Sequence, residues 1–361
     1  MKFSEAINTV ELVLESGSVP LVIGEAGIGK TSLVKRICNE ENYYLVNIDA
    51  NLLKEGEIGG LPIVDSGRTR YATHYKLIEI DNAISDNKYN GVMLFIDELN
   101  RCEHAVQQEL MNLILNREIN GYKLNENVKI MAAMNPSNKY DGFEDTDYQV
   151  VDMDNAQEDR FVWVELSSDI KEWLKWAMNG EVNVHDHIIE FLSNFPEFLN
   201  VTNSNESIKA TPRSWERVAK AYNVYLRKIE NYSIDTFYNV VKGNVGVSIA
   251  TDFINYIKNI KNPLIKPEDL FSYLILPVEV KEQLRGESHS RLYILAKNSI
   301  RYLNENNNEV NRKLFADLLT CYPKDLRLGI MKEIKGDLKE ETYMDLLYED
   351  MFLDSFFSIY E

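Results

Sequence analysis

Eight consecutive residues near the start of the chain have the types and spacing of a phosphate-binding loop. They are Gly24, Glu25, Ala26, Gly27, Ile28, Gly29, Lys30 and Thr31. In such a loop the backbone N–H groups surround the phosphates, a lysine reaches the terminal phosphates, and a threonine hydroxyl binds Mg²⁺. By its spacing, Lys30 would reach the terminal phosphates and Thr31 would bind Mg²⁺. The residues predicted to bind the nucleotide also include Ser32.

A second group of polar residues follows an apolar stretch about 67 residues after the loop. Residues 92–96 are apolar, and Asp97 and Glu98 come next. A strand that ends in two carboxylates can give them separate tasks. Asp97 stays ionised against Mg²⁺, and Glu98 polarises a water for in-line attack on the γ-phosphate. Such a pair is common by itself, but after a phosphate-binding loop it predicts the second half of an ATP site.

The elements around these residues have to bring them together. Residues 20–23 form a short apolar run of strand type, and a helical pattern runs from Lys30 to about Glu40, so a chance glycine turn is disfavoured. Apolar runs and helical patterns then alternate at residues 43–49, 73–86, 92–97, 103–116, 128–134 and 161–166. This alternation predicts a mainly parallel sheet covered by helices on both faces.

Other patterns complete the outline of the fold. Residues 1–16 carry apolar residues at spacings of three and four, which predicts an amphipathic helix, and Asn120-Gly121 predicts a hairpin turn. From residue 167 onward the patterns are helical. Residues 340–361 place apolar residues at helical spacing between acidic ones, which predicts one acidic amphipathic helix.

With these motifs in place, the chain resembles the MoxR-type AAA+ ATPases of bacteria or phages over most of its length. The loop and the carboxylate pair match that family's Walker A and Walker B motifs. The other stretches that carry the resemblance are Asp97–Arg101, Arg117–Gly121, Ala132–Pro136, Asn155–Phe161 and Thr211–Ser214. The resemblance implies an α/β AAA+ P-loop core with a parallel five-stranded sheet between helices (residues 1–166), an α-helical lid (167–225) and a helical C-terminal extension (226–361).

The resemblance also implies roles for three residues outside the two motifs. Asn135 would be sensor 1, which orients the water and reads the γ-phosphate. Arg160 would be the arginine finger, which stabilises transition-state charge at the neighbouring subunit's nucleotide; an ion pair with Asp159 is the alternative. Arg213 would be sensor 2 on the lid, and the alternative is an exposed arginine at the start of a helix.

Two more stretches leave alternatives open. Arg101 either lines the interface between subunits or pairs with an acid on the following helix. Residues 58–62 resemble the family's loop after the second strand, which would face the pore of a ring or the partner. An ordinary glycine turn explains those residues equally well.

The composition limits the partners. The formal charge of −18 over 361 residues disfavours nucleic acid, because unspecific affinity for a phosphate backbone comes from Lys and Arg. The three cysteines form no CxxC pair, which argues against a zinc site and against disulfides. No signal peptide and no membrane-spanning apolar stretch is visible, so we expect a cytoplasmic protein.

The sequence therefore favours an ATPase that uses ATP and Mg²⁺, assembles into a homo-oligomeric ring, expected to be a hexamer, and remodels or matures a protein client in a chaperone-like manner. The resemblance implies a von Willebrand factor A domain protein as that client. A nucleic-acid-directed ATPase of restriction or helicase-loader type is one alternative, which the acidic charge disfavours. A nucleotide-gated scaffold with little turnover is the other, which the joint presence of Glu98, Asn135 and Arg160 disfavours.

Overall fold

A computed structural model of the chain describes residues 1–140, 143, 148, 150–179, 183–201, 206–260 and 264–358. The chain divides into two compact units. The first contains Met1–Trp173 and Asn200–Trp215, and the second contains Leu174–Leu199 and Glu216–Glu361. Two of the three boundaries fall inside helices and the third falls between residues 199 and 200, so none coincides with residues 167 and 226. The three-part division implied by the resemblance remains a prediction.

The first unit is built on a five-stranded sheet in which all neighbouring strands are parallel. Side by side, its strands are β2 (Tyr43–Asp49), β5 (Gly91–Asp97), β8 (Val128–Met134), β1 (Pro20–Ile23) and β9 (Val162–Glu165). The predicted parallel sheet is confirmed. Because the strands are parallel, their carboxyl ends meet at one edge, where the predicted site residues follow β1, β5 and β8.

Helices cover both faces of this sheet. The side chains at positions 92, 94 and 96 of β5 belong to one core, and those at 93 and 95 belong to the other. The helices of the first core are α3 (Tyr75–Ser85) and α4 (His104–Leu115), and those of the second are α1 (Phe3–Glu15) and α2 (Lys30–Glu40). Burial on both faces explains why the strands read as continuous apolar runs in the sequence.

Smaller elements complete the first unit. Strands β6 (Glu118–Ile119) and β7 (Tyr122–Lys123) pair across Asn120 and Gly121, whose φ angles are +47° and +87°. The predicted turn is therefore present, in the left-handed conformation that these two residue types favour. A short 3-10 helix (Ala50–Leu52) and α5 (Asn155–Glu158) follow β2 and β8 along the chain.

A second antiparallel hairpin, formed by β3 (Pro62–Asp65) and β4 (Arg68–Tyr71), was not predicted from the sequence. All eight of its strand residues are exposed. Its base is fixed at a glycine pair. Asn120 Nδ2 donates to Gly59 O at 2.9 Å, and a Cβ at Gly60 would lie 1.9 Å from Ala72 O. A larger residue at position 60 would push the two ends of the hairpin apart.

The second unit is helical within the residues that the structure describes. The helices α6 (Ile170–Met178) and α8 (Pro212–Arg227) each contain one boundary between the units. The others are α7 (Asp186–Asn194), α9 (Ile234–Val245), α10 (Val247–Asn259), α11 (Pro267–Leu270), α12 (Val278–Arg285), α13 (His289–Glu305), α14 (Glu309–Thr320) and α15 (Lys324–Asp337), with two more after them. No helix in the described ranges is long and apolar enough to span a membrane.

The predicted single helix over residues 340–361 is wrong. The structure has two helices there, α16 (Glu340–Leu347) and α17 (Asp350–Phe357), and residues 359–361 lie outside the described part. Glu349 between them is buried and extended, and its carboxylate accepts from Arg312 Nε at 2.9 Å. This long-range pair holds Glu349 outside the helical conformation, which divides the segment.

Candidate functional site

The phosphate-binding loop joins β1 to α2, and its backbone needs glycine at three points, one of which is Gly29 with a φ of +115°. A Cβ at Gly24 would lie 2.6 Å from Leu166 O, and Gly27 has a φ of +80° in the left-handed region. Helix α2 begins at Lys30, so the N–H groups of its first turn, which includes Thr31 and Ser32, have no helical partners. These groups can bind an anion.

Contacts with distant parts of the first unit also fix this loop. The Glu25 carboxylate accepts from Asn200 Nδ2 at 2.8 Å, and Ala26 N–H donates to Tyr148 Oη at 3.0 Å. The Ile28 side chain is buried in the core beneath α1 and α2. Asn200 and Tyr148 lie 175 and 122 residues along the chain from their partners, and no local pattern in the sequence pointed to them.

Lys30 is the buried cation of the site. Its Nζ donates to Gly24 O at 2.6 Å, to Glu25 O at 3.0 Å and to Asn135 Oδ1 at 2.9 Å. Burial lowers the pKa of Lys30 to about 8, although the nearby Asp97 charge acts in the opposite direction. The direct hydrogen-bond acceptors of this ammonium are all uncharged, so phosphate oxygens would be strong additional partners.

Thr31 and Asp97 place two oxygen ligands side by side. Thr31 Oγ1 donates to Asp97 Oδ2 at 3.1 Å, and the other carboxylate oxygen accepts from the Glu98 N–H at 3.0 Å. Hydroxyl and carboxylate oxygens suit Mg²⁺, which usually completes its shell with waters and substrate phosphates. The pair fits the predicted metal position.

Asn135 follows β8 and is only 3% exposed. Its side-chain oxygen is held by Lys30, as described above, and its backbone oxygen accepts from Asn100 Nδ2 at 2.7 Å. Asn100 is 2% exposed, and its own backbone oxygen accepts from Val151 N–H at 2.7 Å. No role for Asn100 was predicted from the sequence, although Asn100 lies in the stretch after Glu98 that resembles the family.

Glu98 is separated from this network. Its carboxylate is paired with Arg101, with 3.2 Å between Arg101 Nη1 and Glu98 Oε2. Two positions were predicted for Arg101, at a subunit interface or beside an acid on the following helix. The structure instead pairs it with the carboxylate predicted to activate water.

Arg160 lies two residues after the end of α5 and is exposed. Within the described part of the chain its guanidinium has no hydrogen bond or ion pair, and it does not pair with Asp159. The helix before it is held in place, because Glu158 accepts from Tyr140 Oη and Lys139 Nζ, each at 2.9 Å. The structure therefore presents Arg160 at the surface on a fixed support.

Arg213 lies in the first turn of α8 and belongs to the first unit. Its N–H donates to Gly27 O at 3.2 Å, and a Cβ on Gly27 would lie 2.8 Å from Thr211 Oγ1. The positive charge of Arg213 also acts on the pKa of Lys30, lowering it. The predicted sensor 2 segment is therefore in direct contact with the phosphate-binding loop.

The sequence match to a known family agrees with this geometry. Residues 20–161 match the family described as AAA domain (dynein-related subfamily). The matched stretch begins at β1 and ends just after Arg160, so it includes both motifs and Asn135. No curated protein sequence matches the chain.

Two solved structures are also similar to the chain. A mutant of RuvB from Thermotoga maritima is 16% identical, with 79% of this chain and 78% of that chain covered and a TM-score of 0.34. NtrX from Brucella abortus is 14% identical, with 92% of this chain and 67% of that chain covered and a TM-score of 0.41. Both TM-scores are too low for either likeness to bear on the function.

Proposed function

We propose that this chain, an AAA+ ATPase, works as a homo-oligomeric ring, expected to be a hexamer, and hydrolyses ATP between adjoining protomers. The proposal depends most on the exposed guanidinium of Arg160. Within one protomer, Lys30 is hydrogen-bonded to Gly24 and Asn135, and Thr31 is hydrogen-bonded to Asp97. Arg160 is exposed and has no partner among the described residues. Its charge is therefore available to a nucleotide held by a neighbouring protomer.

In this mechanism, one protomer holds the substrate. The N–H groups of the loop and the Lys30 ammonium bind the phosphates, and Lys30 thereby gains anionic partners. Mg²⁺, held by Thr31 and Asp97, would neutralise charge on the β- and γ-phosphates. Arg213, whose backbone is bonded to the loop, can follow the nucleotide as the loop adjusts to it.

The chemical step needs a base and a charge stabiliser. Glu98 accepts a proton from water while the water oxygen attacks the γ-phosphorus and the bond to the β–γ bridging oxygen breaks. Because Asn135 Oδ1 is held by Lys30, its amide nitrogen is left to donate to a γ-phosphate oxygen. Arg160 of the adjoining protomer stabilises the developing charge, a contribution of about 10³ or more in rate where it has been measured.

We propose a protein as the substrate of the ring, with the β3–β4 hairpin as one contact surface. Leu61, directly before this hairpin, and Val64, within β3, are 69% and 81% exposed. Exposed apolar side chains on a hairpin with a fixed base are suited to an apolar polypeptide. The formal charge of −18 makes a nucleic acid a poor partner for the surface as a whole. The MoxR resemblance suggests a von Willebrand factor A domain protein as the client.

Assembly and turnover test the proposal together. We expect ATP to convert the protein into a ring, measured by light scattering after size exclusion. Glu98→Gln should bind ATP, remain assembled and hydrolyse at least about 100-fold more slowly. Glu103→Gln, which changes an exposed carboxylate five residues further along, is the matched control and should behave as wild type. A Glu98→Gln protein with wild-type turnover would contradict the proposal.

Capture of partners tests the client class. The Glu98→Gln protein in ATP should retain a protein partner from the source cell, and the double variant L61S/V64S should lose it while hydrolysing ATP normally. Leu12→Ser removes an equally exposed leucine from α1, at 68% exposure, and should keep the partner. Hydrolysis stimulated by DNA, with stimulation that falls steeply as salt rises, would instead support the nucleic-acid alternative.

A further inference from the structure

The Glu98 carboxylate is bound by an arginine of its own turn. Arg101 Nη1 lies 3.2 Å from Glu98 Oε2 and 3.4 Å from Oε1, and the Arg101 N–H donates to Glu98 O at 2.8 Å. The Arg101 side chain is 38% exposed and that of Glu98 is 30% exposed. Because solvent reaches both side chains, it limits the strength of this ion pair.

The backbone of Glu98 has an uncommon conformation. Its φ is +55°, in the left-handed region that is unfavourable for a residue with a Cβ. Hydrogen bonds join Lys30 to Asn135 and join Thr31 to Asp97, but none reaches the Glu98 carboxylate. Among the described residues, Arg101 is its only hydrogen-bonding partner.

This pairing competes with the task of a general base. To accept a proton from water, a carboxylate oxygen has to turn a lone pair toward that water. In the structure both Glu98 oxygens face the Arg101 guanidinium, and charge-assisted hydrogen bonds are stronger than bonds to a neutral water. Glu98 has to leave Arg101 before it can act.

Arg101 has no comparable role elsewhere. Within the described ranges its side chain makes no hydrogen bond except to Glu98. An exposed arginine with one exposed ion pair adds little to the stability of a fold. The effect of this side chain should therefore fall on Glu98 rather than on folding.

We infer that Arg101 is a latch, a positioning residue that holds Glu98 in a resting position and slows hydrolysis until the pair separates. This inference rests on the proposed function, in which Glu98 activates the water. Because the pair is exposed and worth little, its loss should raise turnover by about two- to fivefold rather than by orders of magnitude.

Steady-state hydrolysis by the full chain at saturating ATP tests the latch. Arg101→Gln should raise kcat about two- to fivefold with the KM for ATP unchanged. Arg101→Lys keeps the positive charge, so its kcat should lie between that of the wild type and that of Arg101→Gln. Arg36→Gln removes another arginine that pairs with a glutamate on its own helix and should leave kcat at the wild-type value. A merely structural arginine would not raise kcat when removed.

A kcat that falls or stays the same in Arg101→Gln, with the melting temperature unchanged, would overturn the latch. The first result would mean that Arg101 holds Glu98 in its working position. Glu98→Gln and the double variant E98Q/R101Q separate this failure from a failure of the proposed function. Both should be inactive if Glu98 is the base, whether or not the latch exists, and wild-type turnover in either would remove the proposed function itself.

Discussion

Alanine in place of Gly27 changes the phosphate-binding loop at the point where the sensor 2 segment touches it. The native φ is +80°, which costs alanine about 1–2 kcal/mol relative to an ordinary conformation. The added Cβ would also lie 2.8 Å from Thr211 Oγ1 and 3.1 Å from Thr211 Cβ. We expect the loop of Gly27→Ala to leave this conformation when no nucleotide is bound.

ATP binding has to restore the native loop, so this cost appears in the affinity. A cost of 1–2 kcal/mol corresponds to ATP binding weakened by about five- to thirtyfold, and the close contact with Thr211 adds to it. We expect this loss for Gly27→Ala in a fluorescence titration with a labelled ATP and Mg²⁺. The protein should remain folded by circular dichroism.

Gly17→Ala is the matched control. Gly17 has a nearly equal φ of +78°, and a Cβ there would meet no atom within 4 Å. This variant should lose about 1–2 kcal/mol of stability and keep wild-type affinity for ATP. A folded Gly27→Ala protein that binds ATP as tightly as wild type would refute the argument that the observed loop conformation is the one that binds the triphosphate.

Two further predictions concern buried polar groups. Burial, with a smaller effect from the His185 charge, lowers the pKa of His187 from 6.5 to about 4, and His187 Nδ1 is bonded to Tyr222 Oη at 2.6 Å. Between pH 6.5 and about pH 4, His187 is protonated in the unfolded chain and neutral in the folded one. The stability contributed by His187 is therefore full above pH 6.5 and falls as the pH falls toward 4. Urea denaturation should show less loss over this window for His187→Asn than for wild type, and parallel curves would contradict the assignment. Asn100→Ala should lower kcat about tenfold with little change in ATP affinity, because the bond to Asn135 is lost; an unchanged kcat would show that Asn135 is held without it.

The parts of the fold that the sequence predicted are those with local signals. Apolar strands buried on both faces, and the turn at Asn120-Gly121, depend on residues next to one another in the chain. The β3–β4 hairpin gave no such signal, because all eight strand residues are exposed and no buried face imposes an alternating pattern. The division of the last helix depends on Glu349 and Arg312, which lie 37 residues apart.

The same distinction holds for the candidate site. The parallel order of β1, β5 and β8 brings the carboxyl ends of these strands together. Hydrogen bonds there join Lys30 to Asn135 and Thr31 to Asp97. The pairing of Glu98 with Arg101 was missed, although the residues are three apart. The motif predicts a role for Glu98 but does not indicate which neighbouring side chain its carboxylate contacts.

We propose that Glu98 of one protomer and Arg160 of the next act on the same ATP, and mixing two inactive proteins tests this claim. Glu98→Gln and Arg160→Ala should each be inactive alone. In a ring assembled at random from equal amounts, about one interface in four pairs an intact Glu98 with an intact Arg160. We therefore predict that the mixture recovers up to about a quarter of wild-type turnover. Mixed rings, verified by co-purification on a tag carried by one variant, that hydrolyse no ATP would contradict the claim.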